Sequence, residues 1–324
     1  MTKAVGLISG GLDSILAAKI ILEQGIAVLA VTFRTPFFDH KNAARAAYGL
    51  QIPLRVSDIT EPHLDIVRYP KYGYGKHMNP CIDCHALMVR EAGTVMEEIG
   101  GDFLFTGEVL GQRPMSQNKE ALKRVEAESG YVGRVLRPLS AKLLPETIPE
   151  KEGKVDREQF LGIRGRSRKT QMELARRYNI TEYATPAGGC LLTDPIFSRR
   201  LADLFQHQRS VEIRDVELLK VGRHLRLSPE VKAVVGRDAE DNERILQMIV
   251  TGDHVLRVEG FPGPVLLIPS SGAAKDIKTA ASICVRYSDA PKDEAVTVVL
   301  KRDGKEERMK AQSCPISLPQ DLMI

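Results

Sequence analysis

Several common signatures are missing from these 324 residues, and each absence narrows the field. No Gly-Lys-Ser/Thr follows a glycine-rich turn, so the common nucleotide loop is excluded. No apolar stretch is long enough to span a bilayer; the best one, residues 15–33, is broken by Lys19, Glu23 and Gln24. The N-terminus opens on a strand-like run without a charged region and apolar h-region, so no secretory leader is expected and the cytoplasm is the default location. Net charge is only +4, which neither demands nor excludes nucleic acid. Only one Cys-x-x-C occurs, so a self-contained four-cysteine zinc site is not supported. The cysteines, Cys81, Cys84, Cys190, Cys284 and Cys314, are odd in number. In a reducing compartment they point to metal or catalytic work more than to a disulfide framework. No internal repeat or low-complexity tract is visible.

What is present is an ordinary globular composition, 43% hydrophobic and 27% charged, on a chain long enough for two domains. Strand-like and helix-like patterns alternate through the first half. Ala4–Ile8 reads as a strand, Ser14–Gln24 as a helix and Ile26–Phe33 as a continuous apolar β run. Helix Lys41–Tyr48, a short strand at Leu54–Val56, helix Ile82–Ile99 and strand Phe103–Thr106 follow. Unbroken apolar strands alternating with helices predict a parallel α/β sheet, with ligands at the carboxyl ends of its strands. Residues 145–156 read as an exposed loop, Arg168–Tyr178 as a helix, and Pro186–Cys190 as a turn-rich segment. From about Ser198 the texture changes: a helix at Arg199–Gln208 precedes an alternating pattern from Val231 onward. The expected layout is an α/β domain over 1–197 and a smaller α+β domain over 198–324.

The segment Ala4–Ile8, Ser9-Gly10-Gly11, Leu12-Asp13-Ser14 is a strand, a turn and a helix start. Adjacent glycines permit positive φ and close approach to a ligand, and the helix N-terminus adds unpaired N–H groups. Ser9 and Ser14 add hydroxyls, giving an anion cradle sized for phosphates. A capped helix start explains Asp13 or Ser14 alone, but not the Ser-Gly-Gly before them. This motif resembles the Ser-Gly-Gly-x-Asp-Ser loop of the PP-loop ATP pyrophosphatases, the adenine nucleotide alpha hydrolase-like fold. The resemblance implies that Ser9, Gly10, Gly11, Asp13 and Ser14 hold ATP, with Mg²⁺ bridging its phosphates and Asp13 an indirect ligand. It also places Thr32 and Phe33 beside the adenine, and Thr106 and Gly107 beside the reacting phosphate. For Phe33 the competing reading is an ordinary core aromatic.

Asn79-Pro80-Cys81-Ile82-Asp83-Cys84-His85 sets two thiols at a loop-to-helix boundary, where a helix N-terminus favours thiolates. Cys190, after Gly188-Gly189, is the third member. Either Cys81, Cys84 and Cys190 bind three irons of a [4Fe–4S] cluster, or one of the first pair acts with Cys190 as a persulfide-carrying and resolving pair. Buried small apolar residues are the bland alternative, and it is the better reading for Cys284 and Cys314. His85 and Asp83 are ambiguous between chemistry and helix-start polarity.

Together with the loop, these cysteines make the chain similar to the tRNA thiolation enzymes of the PP-loop superfamily. That resemblance implies adenylation of a base carbonyl oxygen, expected to be uridine, followed by replacement with sulfur. It makes Cys81, Cys84, Cys190 and Asp13 the catalytic set, with sulfide or a desulfurase-fed persulfide carrier as donor. Neither the paired zinc fingers nor the added N-terminal RNA-binding domain of the cluster-containing members is expected from this sequence, which leaves the tRNA position open. Basic residues Arg164, Arg166, Arg168 and Lys169 suggest a phosphate-tracking loop against the alternative of a solvated face. Residues 211–310 resemble the RNA-binding domain of NFACT proteins, with Val255–Val258 in place of that family's Trp-Phe-His-type segment. There, Arg237 and Asn242 are candidate RNA contacts or a hydrogen-bonded helix start. The expected partner is tRNA rather than a membrane, with a homodimer left open. The rival readings are a PP-loop ligase or amidotransferase acting on a small molecule, and a noncatalytic tRNA- or ribosome-binding factor that senses nucleotide.

Overall fold

Apolar runs too continuous for a one-sided sheet pair as parallel strands in the computed structural model, which describes residues 1–184, 189–269 and 274–324. The chain divides into two units, Met1–Thr193 and Asp194–Ile324. In the first, β1 (Lys3–Leu7), α1 (Leu12–Glu23), β2 (Ala27–Arg34), α2 (Lys41–Leu50) and β3 (Leu54–Asp58) follow one another. Two helices come next, α3 (Thr60–Arg68) and α4 (Cys81–Glu98), then β4 (Phe103–Thr106), α5 (Lys119–Ser129) and β5 (Val135–Leu136). Short α6 (Ile148–Lys151) lies within the stretch expected to be a loop, held by a Thr147–Glu150 capping box. Helix α7 (Lys169–Arg177) completes the unit.

The sheet order is β3-β2-β1-β4-β5, with parallel pairings throughout. The order reverses between β1 and β4, the switch point at whose carboxyl strand ends parallel sheets bind ligands. Strand β1 is buried from Ala4 to Gly6. An added Cβ on Gly6 would lie 2.3 Å from the Phe105 ring, so β1 and β4 approach too closely there for a larger residue. Apolar clusters cover both faces. One gathers α1 and α2 against Phe103 and Phe105; the other gathers Leu87, Val89 and Met96 of α4 against Val5, Val31 and Leu104.

The second unit begins with α8 (Pro195–His207), whose Asp194 cap accepts the Phe197 N–H and starts the helix ahead of the expected Arg199. Then come α9 (Ile213–Leu218), β6 (Arg223–Ser228), β7 (Val231–Val235), α10 (Ala239–Gln247), β8 (His254–Val258), β9 (Leu266–Ile268) and α11 (Ala274–Tyr287). Strands β10 (Val296–Arg302) and β11 (Lys305–Ala311) and helix α12 (Ser317–Asp321) follow. Its six strands form an antiparallel sheet ordered β11-β10-β8-β9-β7-β6. Helix α11 covers one face, burying Ala280, Ile283 and Cys284 against Leu256, Val298 and Leu300. Among the described residues, no helix is long and apolar enough to cross a membrane.

Candidate active site

The loop after β1 needs its first glycine for conformation and its second for something else. Gly10 sits at φ +79, and a Cβ there would come 2.3 Å from the Asn42 carbonyl carbon. Gly11 has φ −78 and ψ 154, an extended conformation open to any residue, and is the N-cap of α1. Only one of the two glycines therefore uses the left-handed region, contrary to the symmetric expectation. Ser14 closes the turn by donating to the Gly11 carbonyl at 2.8 Å, and its oxygen accepts from the Ser9 N–H at 3.3 Å. The Ser9 oxygen in turn accepts the Gly11 N–H at 3.3 Å. The loop is thus held in shape by its own hydroxyls.

Asp13 lies in the first turn of α1 and accepts from Gln112 Nε2 at 3.0 Å through Oδ2. Its other oxygen is buried without a hydrogen-bond partner among the described residues. An orphaned buried carboxylate oxygen is costly unless something arrives to pair with it. The residues therefore fit a hard cation such as Mg²⁺, which takes oxygen ligands and retains waters.

Gly107, in the turn after β4, packs directly under this loop: a Cβ on it would lie 2.5 Å from Ser14 N and 2.6 Å from Asp13 C. Thr106 is buried and donates to Glu108 Oε2 at 3.1 Å. Glu108 binds His85 Nδ1 at 2.8 Å and Arg137 Nε at 3.0 Å, and Arg137 also reaches Glu126. Burial pushes the Glu108 carboxyl up, but the Arg137 charge and the His85 hydrogen bond outweigh it and hold it at about 2. This network joins β4, β5 and α5 to the N-terminal turns of α4. Thr32 and Phe33 are both buried, and Phe33 packs among Val5, Val31 and Ile59. In this arrangement Phe33 is a core aromatic.

Helix α4 begins at Cys81. Asn79 donates from Nδ2 to Cys81 Sγ at 3.2 Å, while its Oδ1 accepts the His77 N–H at 3.1 Å. Gly75 makes room for this amide, since a Cβ there would lie 2.4 Å from Asn79 Nδ2. Cys84 Sγ faces His63 Nε2 at 3.2 Å, and His63 is wedged against the rings of Phe37 and Phe38. Burial keeps His63 neutral, lowering its pKa to about 4. Burial also raises the Cys84 thiol well above its ordinary value, with the Cys190 and Cys81 sulfurs adding to the effect. Cys190 is raised to about 11, chiefly by burial and with a contribution from Cys81. The three sulfurs thus share one neighbourhood, but two of them have different partners: an amide donor on Cys81, a neutral imidazole beside Cys84. Among the described residues, no three Cys, His, Asp or Glu side chains stand close enough together to hold a metal ion. Three thiols are the donor chemistry that suits a cluster. Gly188 and the start of the Pro186–Cys190 turn lie outside the described residues.

Two backbone ties bring further segments to the loop. Ala184 donates its N–H to the Gly10 carbonyl at 2.9 Å, and Leu191 donates to the Phe37 carbonyl at 3.0 Å. Arg164 bridges to Leu110, which sets the basic loop against the turn that follows Glu108. Arg164, Arg166 and Lys169 are exposed and form no ion pair among the described residues, where the half-buried Arg168 has an unpartnered Nε. In the second unit, the Arg237 guanidinium pairs with Asp241, and Asn242 Oδ1 accepts the Val265 N–H at 2.8 Å. Arg237 thus braces the start of α10, and Asn242 ties α10 to the loop ahead of β9. Cys284 and Cys314 are buried in the second core, and all five cysteines are free thiols. His63, Asn79, Arg137 and Glu126 are the residues whose roles only the fold reveals; the Asn-Pro-Cys spelling was the one available hint, for Asn79.

Residues 1–143 match the family described as thiamine biosynthesis protein (ThiI). Over those residues the first unit is similar to that family. Residues 222–318 match the NFACT protein RNA binding domain. A tRNA-specific 2-thiouridylase MnmA of Syntrophotalea carbinolica is 36% identical over 117 residues, 31% of this chain and 32% of that protein. A probable tRNA sulfurtransferase of Thermoanaerobacter sp. (strain X514) is 32% identical over 131 residues, 37% of this chain and 32% of that protein. The chain spans about a third of the length of the curated relatives it matches. A solved complex of a 4-thiouridine synthetase with RNA and bound ATP is 26% identical, covering 54% of this chain and 50% of that one at a TM-score of 0.36.

Proposed function

We propose that this protein is an ATP-dependent tRNA sulfurtransferase. The observation that carries the reading is the convergence of a PP-loop with three cysteines on one end of one sheet, Glu108 and His85 linking the two halves. In the first step a base carbonyl oxygen, that of uridine in the simplest case, attacks the α-phosphorus of ATP, an O–P bond forms and pyrophosphate leaves. The N–H groups at the start of α1 and the Ser9 and Ser14 hydroxyls neutralise phosphate charge, the main requirement of such a transfer. Mg²⁺, held through Asp13, would supply further charge neutralisation on the phosphates. In the second step a sulfur nucleophile forms a C–S bond as the C–O bond breaks and AMP departs.

Two arrangements serve the sulfur step. In the first, Cys81, Cys84 and Cys190 hold a [4Fe–4S] cluster, which when bound would offer an open iron for sulfide. The shared neighbourhood of the three sulfurs supports it. In the second, one thiol carries a persulfide whose outer sulfur attacks the base. A second thiol then breaks the S–S bond, leaving a disulfide for a dithiol reductant to reset. The unlike partners of Cys81 and Cys84 support this second reading. The exposed Arg164, bridged to Leu110, and the exposed Arg166 near it support a path for tRNA phosphates toward the phosphate loop. A cytoplasmic location follows from this substrate.

Mass spectrometry of tRNA nucleosides from a deletion strain tests the function. One thiolated nucleoside should disappear and return with the intact gene; a full set of thiolated nucleosides in the deletion strain defeats the proposal. Anaerobic purification decides between the sulfur arrangements. Iron–sulfur absorbance lost in Cys81→Ala selects the cluster, and a colourless, iron-free protein with a Cys-linked persulfide selects the pair.

A further inference from the structure

We infer that the groove between Arg257 and Phe261 in the second unit takes an unstacked base of single-stranded RNA. The inference rests on the RNA-directed reading above and gives it a location. The sheet of this unit is covered unequally. On the face away from α11, Leu218 of α9 and Ile245 of α10 pack against Val234, Val255 and Leu267. That cover ends at β8. Beyond it, Arg257 lies opposite Val299 on β10, and Val299 lies opposite Arg308 on β11. Residues directly opposite in an antiparallel pair share a face, so the two arginines flank one half-buried valine. Lys310 and Lys301 stand on the same face, against Glu306 and Glu259, which Arg308 engages. The balance on this open face is positive.

At the edge of α10 the face deepens into a groove of about 300 Å³ lined by Asn242, Arg257, Phe261, Pro262 and Pro264. That volume sits at the lower end of small-ligand sites, the scale of one base rather than a larger cofactor. Phe261 is 39% exposed, and the exposed Arg257 side chain makes no ion pair or hydrogen bond among the described residues. An uncovered aromatic next to a free guanidinium is the combination on which splayed RNA bases stack while the cation meets the phosphate. The loop is also prefixed. Asn242 holds the Val265 N–H, Pro262 O accepts from Asp289 at 2.8 Å, and a Cβ on Gly263 would strike the Ser288 Cβ at 2.7 Å. Ordering costs on binding are therefore small. On this account Asn242 shapes the groove wall, and the contacts to RNA come from Phe261 and Arg257.

The test is fluorescence anisotropy of the full chain with a labelled single-stranded 12-nucleotide RNA and with tRNA. Phe261→Ala is expected to weaken binding about tenfold, the order of one lost base stack, with an unchanged melting temperature. Phe261→Trp should restore the affinity, and Arg257→Ala should weaken binding and flatten its salt dependence. If the wild-type chain binds and Phe261→Ala binds equally well, the groove is overturned while the RNA reading stands. A loss confined to Arg257→Ala likewise overturns it, since that is surface charge alone. If the wild-type chain binds neither RNA, the RNA reading itself fails.

Discussion

Replacing Gly107 by alanine is the sharpest single test of how the phosphate loop is supported. Gly107 is not in the left-handed region, so alanine carries no conformational penalty there. The whole effect is one of space. The new Cβ would lie 2.5 Å from Ser14 N, where ordinary contact begins at 3.4 Å, so something must move by roughly 1 Å. Neither side yields easily. Ser14 is backbone in the first turn of α1, whose Leu12, Ile15 and Leu16 are buried, and Gly107 follows fully buried β4. Overpacking of this kind costs about 1–3 kcal/mol, and displacement of a catalytic loop by about 1 Å can cost on the order of 100-fold in function. Differential scanning fluorimetry and ATP titration should show Gly107→Ala with a lowered melting temperature and an ATP affinity reduced by at least tenfold. Gly11→Ala is the internal control: its Cβ meets only Ser9 Oγ at 3.5 Å, and it should fold like the wild type. Wild-type stability and ATP affinity in Gly107→Ala would refute the close packing of the two loops.

Arg137→Met removes the counter-charge from Glu108 and Glu126 together, and breaking such a buried pair costs about 3–5 kcal/mol. Urea unfolding of the first unit should register that loss, and a wild-type midpoint would deny the network its structural role. Glu108, held at about 2 against an ordinary 4.5, binds fewer protons folded than unfolded, so its stabilisation is present above pH 4.5 and lost as pH falls through about 2. Acid unfolding curves of wild type and Glu108→Gln should therefore converge below pH 2 and diverge above 4.5. Gly75→Ala, whose Cβ displaces Asn79 from Cys81, should slow iodoacetamide labelling of Cys81 several-fold in peptide mapping, with Cys84 unaffected. Asn242→Ala strands the Val265 N–H and should destabilise the second unit by about 1–3 kcal/mol, read as a shift of its thermal transition.

The parallel sheet was legible because strands covered on both faces read as continuous apolar runs, as Ala27–Val31 does. The phosphate loop was legible because Ser-Gly-Gly-x-Asp-Ser has few structural explanations. Helix α5 was missed, although Asn118 caps it, Gly130 at φ +85 ends it, and Ala121, Leu122 and Val125 give it a buried stripe. Its high charge hid a short but regular face. The partners of the cysteines were not legible at all. His63 reaches Cys84 across 21 residues through packing against Phe37 and Phe38, and Arg137 meets Glu108 only because β4 and β5 lie side by side. Such contacts are set by topology, which local pattern does not encode. Arg237 and Asn242 show how a suggestive polar string also carries structure: one pairs with Asp241 at the start of α10, and the other accepts the Val265 N–H ahead of β9.

The segment that ends in Cys190 is moored at two points, by Ala184 to the Gly10 carbonyl and by Leu191 to the Phe37 carbonyl. One mooring is the phosphate loop itself. One flank of the stretch that carries Cys190 is thus hydrogen-bonded to the phosphate loop and the other to the loop after β2, so filling of the phosphate loop is expected to be felt at the third sulfur. The hallmark is a Cys190 alkylation rate that changes with ATP, while Cys284, deep in the other core, stays silent.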